Sequence, residues 1–328
     1  MNRPILELKQ VCKTFGADTE HEVPAVQNMS LKVFEGDSLG IVGESGCGKS
    51  TVARLVTRLT DCTSGEIWFD GKDITKTGLK ETRDIYRNIQ MVFQDPYSVF
   101  SPRMQVGTFL EESLVFFGIC SRDEARKEAV RLMAMVELSP ELLDRLPHQL
   151  SGGQLQRVVI ARAISIRPKL VFLDEATSAL DVSVQKQVLR LLVRLRKELK
   201  LTYIFIGHDL AVVRSICDRI AVMYAGQVVE VFDSEDLMEN TGHPYTHKLL
   251  DSVFSIHDRH QKEILLETLS MEDSGYERTG CVYQKRCPYV TERCRTETPV
   301  MEACGTPHRI ACWHPLCGGH HHEGHEHI

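Results

Sequence analysis

The sequence lacks several features that define other classes of protein. No apolar run reaches the ~18 residues that a helix needs to cross a bilayer, so we expect no transmembrane helix. The net charge is only −6 over 328 residues, and this slight acidic excess argues against nucleic acid as the main partner. The first residues lead directly into a strand-like segment, without the regions of a secretory signal. We therefore expect a cytoplasmic protein that reaches any membrane through a partner.

Cysteine and histidine are sparse in most of the chain and concentrated at its end. Six of the 11 cysteines lie within residues 281–317, and seven of the 14 histidines lie within residues 308–327. In a cytoplasmic protein such a cluster favours a metal site over a disulfide framework. Residues 255–280 are polar and residues 281–328 hold few apolar side chains. We therefore expect metal, rather than an apolar core, to hold this part together.

A glycine-rich stretch follows the strand-like residues 39–42 and precedes a helix-compatible run. It reads Gly43-Glu44-Ser45-Gly46-Cys47-Gly48-Lys49-Ser50-Thr51. Its glycines allow several backbone N–H groups to point at one anion, and the next helix adds its positive end. Lys49 would reach the β- and γ-phosphates, and the Ser50 hydroxyl would serve Mg²⁺. The pattern predicts a binding site for ATP or GTP.

Cys47 lies inside this stretch, beside Lys49 and close to a helix N-terminus. Both neighbours favour the thiolate, so we expect the pKa of Cys47 to be lowered. The thiol should then be alkylated readily, and MgATP should protect it. The alternative interpretation is a small residue that is simply tolerated in the loop.

The apolar residues 170–173 end in two carboxylates. Such a run is typical of a buried parallel strand, and the carboxyl ends of parallel strands face the ligand crevice. Asp174 would hold Mg²⁺, and Glu175 would polarise the attacking water. Taken alone, the pair could instead cap the next helix. Its combination with residues 43–51 favours nucleotide hydrolysis.

Residues 150–154 have the features of a second anion site at a helix start. A cap serine and two glycines open the helix-like run that follows. Two helix ends about a hundred residues apart do not usually grip one γ-phosphate within one chain. A head-to-tail pair of chains would let each offer this segment to the nucleotide of the other. The residues offered would be Ser151, Gly152, Gly153 and Gln154. An ordinary N-cap is the alternative.

Together these segments resemble the ATP-binding-cassette (ABC) ATPases over residues 5–255. The matching motifs are residues 43–51, Gln94, residues 150–154, residues 170–175, Ser178-Ala179-Leu180-Asp181 and His208. The resemblance implies an α/β P-loop NTPase core with a helical subdomain at about residues 95–167 and an antiparallel β subdomain. Residues 1–255 would form this ATP-binding domain, and residues 256–328 a small Cys-rich C-terminal extension with a His-rich tail.

The resemblance also implies roles for single residues. Gln94 would sense Mg²⁺ and the attacking water, and His208 would hydrogen-bond the γ-phosphate. Asp181 would help to couple the two sites of the dimer. Phe15 would stack on adenine, a contact worth about 0.5–1.5 kcal/mol beyond area burial. Outside this context, His208 would be assigned to the core or to a cap, and Phe15 to core packing.

Two further segments narrow the resemblance to the ATPases of oligopeptide, dipeptide and nickel importers. They are residues 91–104, where that branch usually has Asn at the position of Ser101, and residues 243–250. In this branch, the surface after Gln94 receives a coupling helix of the permease. The resemblance implies a peripheral ATPase on the cytoplasmic face of the membrane. Its partners would be a second, identical or homologous, ATPase subunit, two transmembrane permease subunits and, at system level, an extracytoplasmic substrate-binding protein.

Four cysteines, Cys281, Cys287, Cys294 and Cys312, resemble the C-terminal extension of the same importer ATPases. Four thiolates can hold an iron–sulfur cluster or tetrahedral zinc. The spacings are wider than those of zinc knuckles, and Cys287 precedes a proline, which favours a [4Fe–4S] cluster. Structural Zn²⁺ is the alternative, as are reduced or disulfide-bonded cysteines.

The histidine-rich residues 320–327 predict a flexible strip that chelates nickel, copper or zinc. If it is native, the strip favours nickel or another metal as cargo, and an artefact of expression is the alternative. Two other functions compete with an importer ATPase. One is a soluble cassette protein of DNA repair or ribosome rescue, and the other is an iron–sulfur redox sensor built on a cassette. Neither accounts for residues 93–104 as well.

Overall fold

The computed structural model describes residues 3–16, 22–238, 241–254, 279–305 and 307–316. The strands of these residues are β1 (Pro4–Phe15), β2 (Val23–Phe34), β3 (Ser38–Val42), β4 (Ser64–Phe69), β5 (Lys72–Asp73), β6 (Ile89–Val92), β7 (Leu170–Asp174), β8 (Thr202–Gly207), β9 (Arg219–Tyr224), β10 (Gln227–Asp233), β11 (Glu302–Ala303) and β12 (Arg309–Ile310). Their helices are α1 (Lys49–Val56), α2 (Leu79–Asn88), α3 (Val106–Phe116), α4 (Arg122–Met135), α5 (Gly152–Ser165), α6 (Val182–Leu199), α7 (Leu210–Ile216), α8 (Pro244–Phe254) and α9 (Glu292–Thr296). Short 3₁₀ turns join several of them.

The larger sheet has the strand order β11-β12-β10-β9-β3-β8-β7-β6. Strands β9, β3, β8, β7 and β6 pair in parallel, and β10, β12 and β11 continue the sheet in antiparallel pairs. Strands β3, β7 and β8 are buried along their whole length, as their apolar runs predict. Their carboxyl ends lie at one edge of the sheet, where the functional residues collect.

The smaller sheet is antiparallel, with the order β2-β1-β4-β5. One face of its strands packs with α1 and the larger sheet in a common apolar core, which includes Val33, Ile41, Val52 and Ile206. Residues in β2 alternate between buried and exposed positions, as expected for a half-covered strand. Strand-like runs at residues 5–11 and 26–33 predict the central parts of β1 and β2, whereas the sequence pattern misses β4 and β5.

Helices α3, α4 and α5 form a separate layer on the other side of the larger sheet. The rings of Phe100 and Phe109 stack there with their centroids 3.8 Å apart. The sequence pattern predicts helices at residues 122–136 and 152–165, and α4 and α5 confirm both to within one residue. Both begin at a serine cap with a Glu or Gln three residues later, a signal that the sequence carries openly.

The described residues 279–305 and 307–316, here called the C-terminal extension, join the larger sheet. Strand β12 pairs with β10, and the Ala311 N–H donates to the Val229 carbonyl at 2.8 Å. Cys281, Tyr283 and Cys294 are buried in the same apolar core as the helical layer. The expectation that metal, rather than a core, holds this part is therefore wrong for these residues. Strand pairing and apolar burial attach them to the ATPase core.

Glu230, on β10, is a fully buried carboxylate that ties three segments together. Its Oε1 accepts the Gly242 N–H at 2.6 Å and lies 2.8 Å from Nε2 of His308 in the extension. Its Oε2 accepts the His243 N–H at 3.2 Å and the hydroxyl of Thr246. A buried carboxylate with this many partners fixes both the start of α8 and the docking of the extension.

We expect Glu230→Gln to destabilise the protein, because the new amide places N–H donors opposite N–H donors. Each unsatisfied buried group costs about 1–3 kcal/mol, so the free energy of unfolding should fall by about 2–4 kcal/mol. Urea unfolding followed by circular dichroism measures this loss. Glu302→Gln, at an exposed position of β11, is the matched control and should change the value by less than about 0.5 kcal/mol. Equal stability of the two variants would contradict the role of Glu230.

Candidate nucleotide site

The glycine-rich stretch forms a tight loop between β3 and α1. Gly48 has a left-handed φ of 103°, and a Cβ there would lie 2.0 Å from the Ala25 carbonyl oxygen. A Cβ on Gly43 would lie 2.0 Å from the carbonyl oxygen of Met223. Only glycine lets the loop pass this close to the neighbouring backbones. The tip of the loop, at Ser45 and Gly46, is exposed.

Lys49 is the first residue of α1 and is 5% exposed. Its Nζ donates to the carbonyl oxygens of Gly43 and Glu44, both at 2.8 Å. These bonds compensate for burial of the charge, because a buried ammonium must be hydrogen-bonded. The backbone of the loop therefore surrounds the charged end of Lys49 and fixes its position.

Cys47 also lies in this curve, with its Sγ 3.8 Å from Nζ of Lys49. The side chain is 6% exposed, and burial raises the pKa of the thiol more than the charge of Lys49 lowers it. The expectation of a lowered pKa is wrong. Charge proximity is visible in the sequence, whereas the loss of solvent is a property of the fold.

Asp174 and Ser50 meet, as the sequence predicts. The Ser50 hydroxyl donates to Oδ1 of Asp174 at 2.9 Å, which links α1 to the end of β7. Burial raises the pKa of Asp174 above its usual range, and the bond from Ser50 opposes that shift. A hydroxyl and a carboxylate at one point are oxygen groups of the kind that Mg²⁺ prefers as ligands.

Glu175 lies between the two other predicted catalytic residues. Its Oε2 accepts a hydrogen bond from Nε2 of Gln94 at 2.9 Å, and its Oε1 is 3.5 Å from Nδ1 of His208. These residues follow three different strands, β6, β7 and β8, whose parallel pairing brings them to one edge. Glu175 has a left-handed φ of 45°, a strained conformation that is common at functional sites.

The segment at the start of α5 is not joined to this cluster. Ser151 caps the helix by accepting the Gln154 N–H at 3.3 Å, and the Gln154 side chain accepts the Ser151 N–H at 2.9 Å. Within the described part of the chain, no hydrogen bond or ion pair links residues 151–154 to residues 43–51. Gly153 allows close packing of α5 on α6, since a Cβ there would lie 2.3 Å from Val184. In a single chain the segment is an ordinary N-cap.

Two other predicted residues also stand apart from the cluster. Asp181 precedes α6 and is exposed. Phe15, at the end of β1, is 42% exposed, and Nζ of Lys13 lies 4.9 Å from its ring centroid. Phe15 therefore does not belong to the core, so the core-packing interpretation is wrong. Thr51 is half-buried in the first turn of α1.

The contacts of Glu44 were missed at the sequence level. Its N–H donates to the Tyr245 hydroxyl at 2.9 Å, and its carboxylate pairs with both terminal nitrogens of Arg286, at 2.8 and 2.9 Å. The pKa of Arg286 lies above its ordinary value because the guanidinium donates to Glu44. Both partners lie about two hundred or more residues along the chain from Glu44. Tyr245 lies in residues 243–250 and Arg286 directly precedes Cys287, so both belong to segments that resemble the importer ATPases, but that resemblance predicts no contact with Glu44.

The four predicted cluster cysteines border one small cavity, together with His243, at the start of α8. Cys281, Cys287, Cys294 and Cys312 form no disulfide. Within the described residues, however, no three His, Cys, Asp or Glu side chains are arranged to hold a metal ion. The expected [4Fe–4S] cluster is therefore not confirmed. The histidine strip at residues 320–327 lies outside the described residues.

We expect Cys47 to react slowly with a thiol reagent such as N-ethylmaleimide, because its thiolate is disfavoured and its sulfur is covered. Mass spectrometry after timed labelling should show Cys62, which is half-buried, modified before Cys47. Denaturation should abolish the difference. Modification of Cys47 ahead of Cys62 in the folded protein would contradict this order.

Comparison with known proteins identifies the family. Residues 26–178 match the ABC transporter family, and residues 229–294 match the oligopeptide/dipeptide transporter C-terminal region. The chain is 41% identical over 293 residues to the di/tripeptide transport ATP-binding protein DppF of Pseudomonas aeruginosa (strain UCBPP-PA14), covering 89% of this chain and 90% of that protein. It is 39% identical over 317 residues to the oligopeptide transport ATP-binding protein AppF of Bacillus subtilis (strain 168), covering 94% and 96%.

The fold agrees with these relatives. The ATP-binding cassette MJ0796, solved as a dimer in a post-hydrolysis state with ADP and Pi, superposes with a TM-score of 0.64 at 33% identity. That match covers 70% of this chain and 98% of MJ0796. Every helix that the structure describes is too short or too polar to span a bilayer. The chain belongs to the ABC transporter family, as an ATP-hydrolysing subunit of the branch that carries the oligopeptide/dipeptide transporter C-terminal region.

Proposed function

We propose that this ATPase drives the import of peptides, as one half of a head-to-tail dimer bound to two permease subunits. The observation that carries the proposal is the placement of Glu175 between Gln94 and His208. This cluster lies beside residues 43–51, here called the phosphate loop. The peptide cargo is inferred from relatives whose names specify di/tripeptides and oligopeptides. The relatives compared here give nickel no support. The match of residues 229–294 favours an importer over a soluble repair protein.

In this proposal, residues 43–51 bind the phosphates of ATP. The N–H groups of the loop and of the first turn of α1 would donate to an anion bound at the helix start. Nζ of Lys49 would exchange its bonds to the Gly43 and Glu44 carbonyls for phosphate oxygens. Mg²⁺ would neutralise the charge that builds up on the phosphates, and Ser50, Asp174 and Gln94 are the residues that would hold it. Exposed Phe15 would stack on adenine.

Glu175 would act as the base that polarises the attacking water. Its two oxygens are already oriented, one by the amide of Gln94 and the other toward Nδ1 of His208. A base fixed by hydrogen bonds before the reaction loses little freedom in the transition state. His208 is 60% exposed in its side chain, which leaves its ring free to turn toward a γ-phosphate.

The dimer would complete the site with residues 151–154 of the other chain. The cap at Ser151 engages the Gln154 N–H, so the first-turn N–H groups of Gly152 and Gly153 point out of the helix. Such a helix start binds anions. Asp181 is exposed at the start of α6, where it can contact a partner subunit. The dimeric MJ0796 structure with ADP and Pi supports this arrangement.

The surface after Gln94 offers a docking site for the permease. A 3₁₀ turn, Pro96–Val99, leaves Tyr97 48% exposed. Next to it, an open groove separates the segment 101–108 from the segment 144–149. Its lining includes Ser101, Arg103, Met104 and Asp144. A short amphipathic helix of a permease fits a groove of this kind. Movement of the helical layer on ATP binding would then be passed to the membrane subunits.

We also propose that the four cysteines of the extension hold a metal centre, with a [4Fe–4S] cluster preferred to Zn²⁺. Burial raises the pKa of Cys281 and Cys287, and it raises the pKa of Cys312 to about 12, with the other three thiols adding to the shift. Cys281, Cys287 and Cys312 thus resist ionisation in this cavity. A bound cation would remove this penalty, since metal ligation deprotonates thiols.

His243 supports the fit of the cavity to such a group. Its Nδ1 accepts the Tyr245 N–H at 3.0 Å, so its Nε2 carries the proton. That Nε2 is buried and has no partner among the described residues. Burial also lowers the pKa of His243 to about 4, which keeps the ring neutral. An unpartnered N–H beside four thiols is suited to donate to a metal-bound sulfur.

We expect Glu175→Gln to lower kcat for ATP hydrolysis by about 100-fold or more, the usual contribution of a general base. The variant should still bind MgATP and should accumulate as an ATP-bound pair, visible by size-exclusion chromatography. Glu141→Gln, an exposed position of the helical layer, serves as the control and should keep its turnover. Hydrolysis at the normal rate in Glu175→Gln would rule out the base.

Protein purified without oxygen should contain about four iron atoms and as many sulfides per chain, with broad visible absorbance. Cys294→Ser should lose most of this iron, because one ligand of the set is removed. Cys120→Ser, outside the extension, should retain it. Zinc without iron would replace the cluster with a structural zinc site, and the absence of both metals would end the proposal of a metal centre.

A further inference from the structure

The extension reaches the phosphate loop through one ion pair. Nη1 and Nη2 of Arg286 lie 2.8 and 2.9 Å from the two carboxylate oxygens of Glu44. The guanidinium therefore binds the carboxylate through a bidentate pair of hydrogen bonds, here called the fork. The side chains are 28% and 33% exposed, respectively. Partial burial and two parallel bonds make such a pair stronger and more directional than an exposed one. Glu44 is the second residue of the loop, and Arg286 directly precedes Cys287.

The surroundings of this pair are closely packed. The Tyr245 hydroxyl accepts the Glu44 N–H at 2.9 Å, and the Tyr224 hydroxyl lies 3.5 Å from Nη1 of Arg286. The rings of Tyr224, Tyr245 and Tyr283 pack on one another with centroids 4.6–5.4 Å apart. These aromatic contacts join β9, α8 and the extension beneath the loop.

Glu44 is therefore fixed at three points. Its N–H is held by Tyr245, its carboxylate by Arg286, and its carbonyl oxygen accepts from Nζ of Lys49 at 2.8 Å. A shift of Glu44 moves the carbonyl that positions the lysine. The contact with Arg286 thus sets the geometry of the cation that would meet the phosphates.

Contacts other than the Arg286–Glu44 ion pair also dock the extension. Strand β12 of the extension pairs with β10, and His308 of the extension contacts Glu230. The buried residues Cys281 and Tyr283 add apolar contact. These contacts remain in place when the Arg286–Glu44 ion pair is removed by substitution, so the effect of the pair on the loop can be tested.

We propose that Arg286 is a positioning residue for ATP binding, through which the C-terminal extension completes the phosphate loop of its own chain. The inference depends on the proposed role of residues 43–51 in binding ATP. A lysine cannot replace the fork, because an ammonium offers a point charge rather than two parallel donors.

The test compares single variants of the full-length chain, assembled with its permease subunits. Arg286→Gln should raise the Kd for a fluorescent ATP analogue and the KM for ATP about tenfold, with kcat changed less than about twofold. Arg286→Lys should give a smaller rise. Arg295→Gln, an exposed arginine of the same extension, is the control and should match the wild type.

A double-mutant cycle separates positioning from general stability. Glu44→Gln alone should raise KM by a similar factor, and adding Arg286→Gln should then cost less than about twofold more. Additive losses, or an unchanged KM in Arg286→Gln, would overturn the inference. Limited proteolysis will reveal whether Arg286→Gln releases the extension. If it does, the KM of Glu44→Gln becomes the test of the ion pair. A normal KM in that variant refutes the role of the ion pair.

Lys49→Ala distinguishes failure of this inference from failure of the proposed function. If Lys49→Ala binds nucleotide normally, residues 43–51 are not the site, and both ideas fail. If Lys49→Ala loses binding while Arg286→Gln retains wild-type affinity, the nucleotide site stands and only the positioning role is lost.

Discussion

The alignment of parallel strands in the larger sheet is the constraint on which the site depends. Strands β3, β7 and β8 are neighbours and point the same way, so their following residues meet at one edge. The hydroxyl of Ser50 reaches Asp174 only because β3 and β7 flank β8 in register. The same pairing brings Gln94 and His208 to either side of Glu175. A shift in the register of β7 would separate all of these contacts.

A second constraint operates at the other end of the sheet, where the extension becomes part of the ATPase core. Glu230 is buried, and among the described residues its oxygens are satisfied by two backbone N–H groups, a hydroxyl and a histidine. Such a carboxylate specifies the path of every segment that it bonds. The cysteine cavity and the ion pair to Glu44 lie on segments anchored in this way. The cysteine cavity therefore lies close to residues 43–51 in the same chain, since Arg286 contacts Glu44 and directly precedes Cys287.

The sequence predicted elements whose structure depends on neighbouring residues. It did not predict properties that depend on burial in the folded protein. The cap of α5 and the apolar run of β7 follow from neighbouring residues. The pKa of Cys47 does not, because the sequence shows the adjacent lysine but not the removal of water. Strand β4 was missed because its first three residues, Ser64-Gly65-Glu66, are not typical of a strand, and β5 was missed because it has only two residues.

By itself, the sequence determined the residue types and spacings of the phosphate loop, of the Asp174–Glu175 pair and of the four cysteines. These follow from local chain chemistry, since glycines set loop shape and an apolar run before carboxylates sets a strand end. Only the tertiary structure decided that Arg286 grips Glu44 and that Glu230 holds the extension. Those contacts join residues 242 and 78 positions apart, and only the packing of the whole sheet brings such distant residues together.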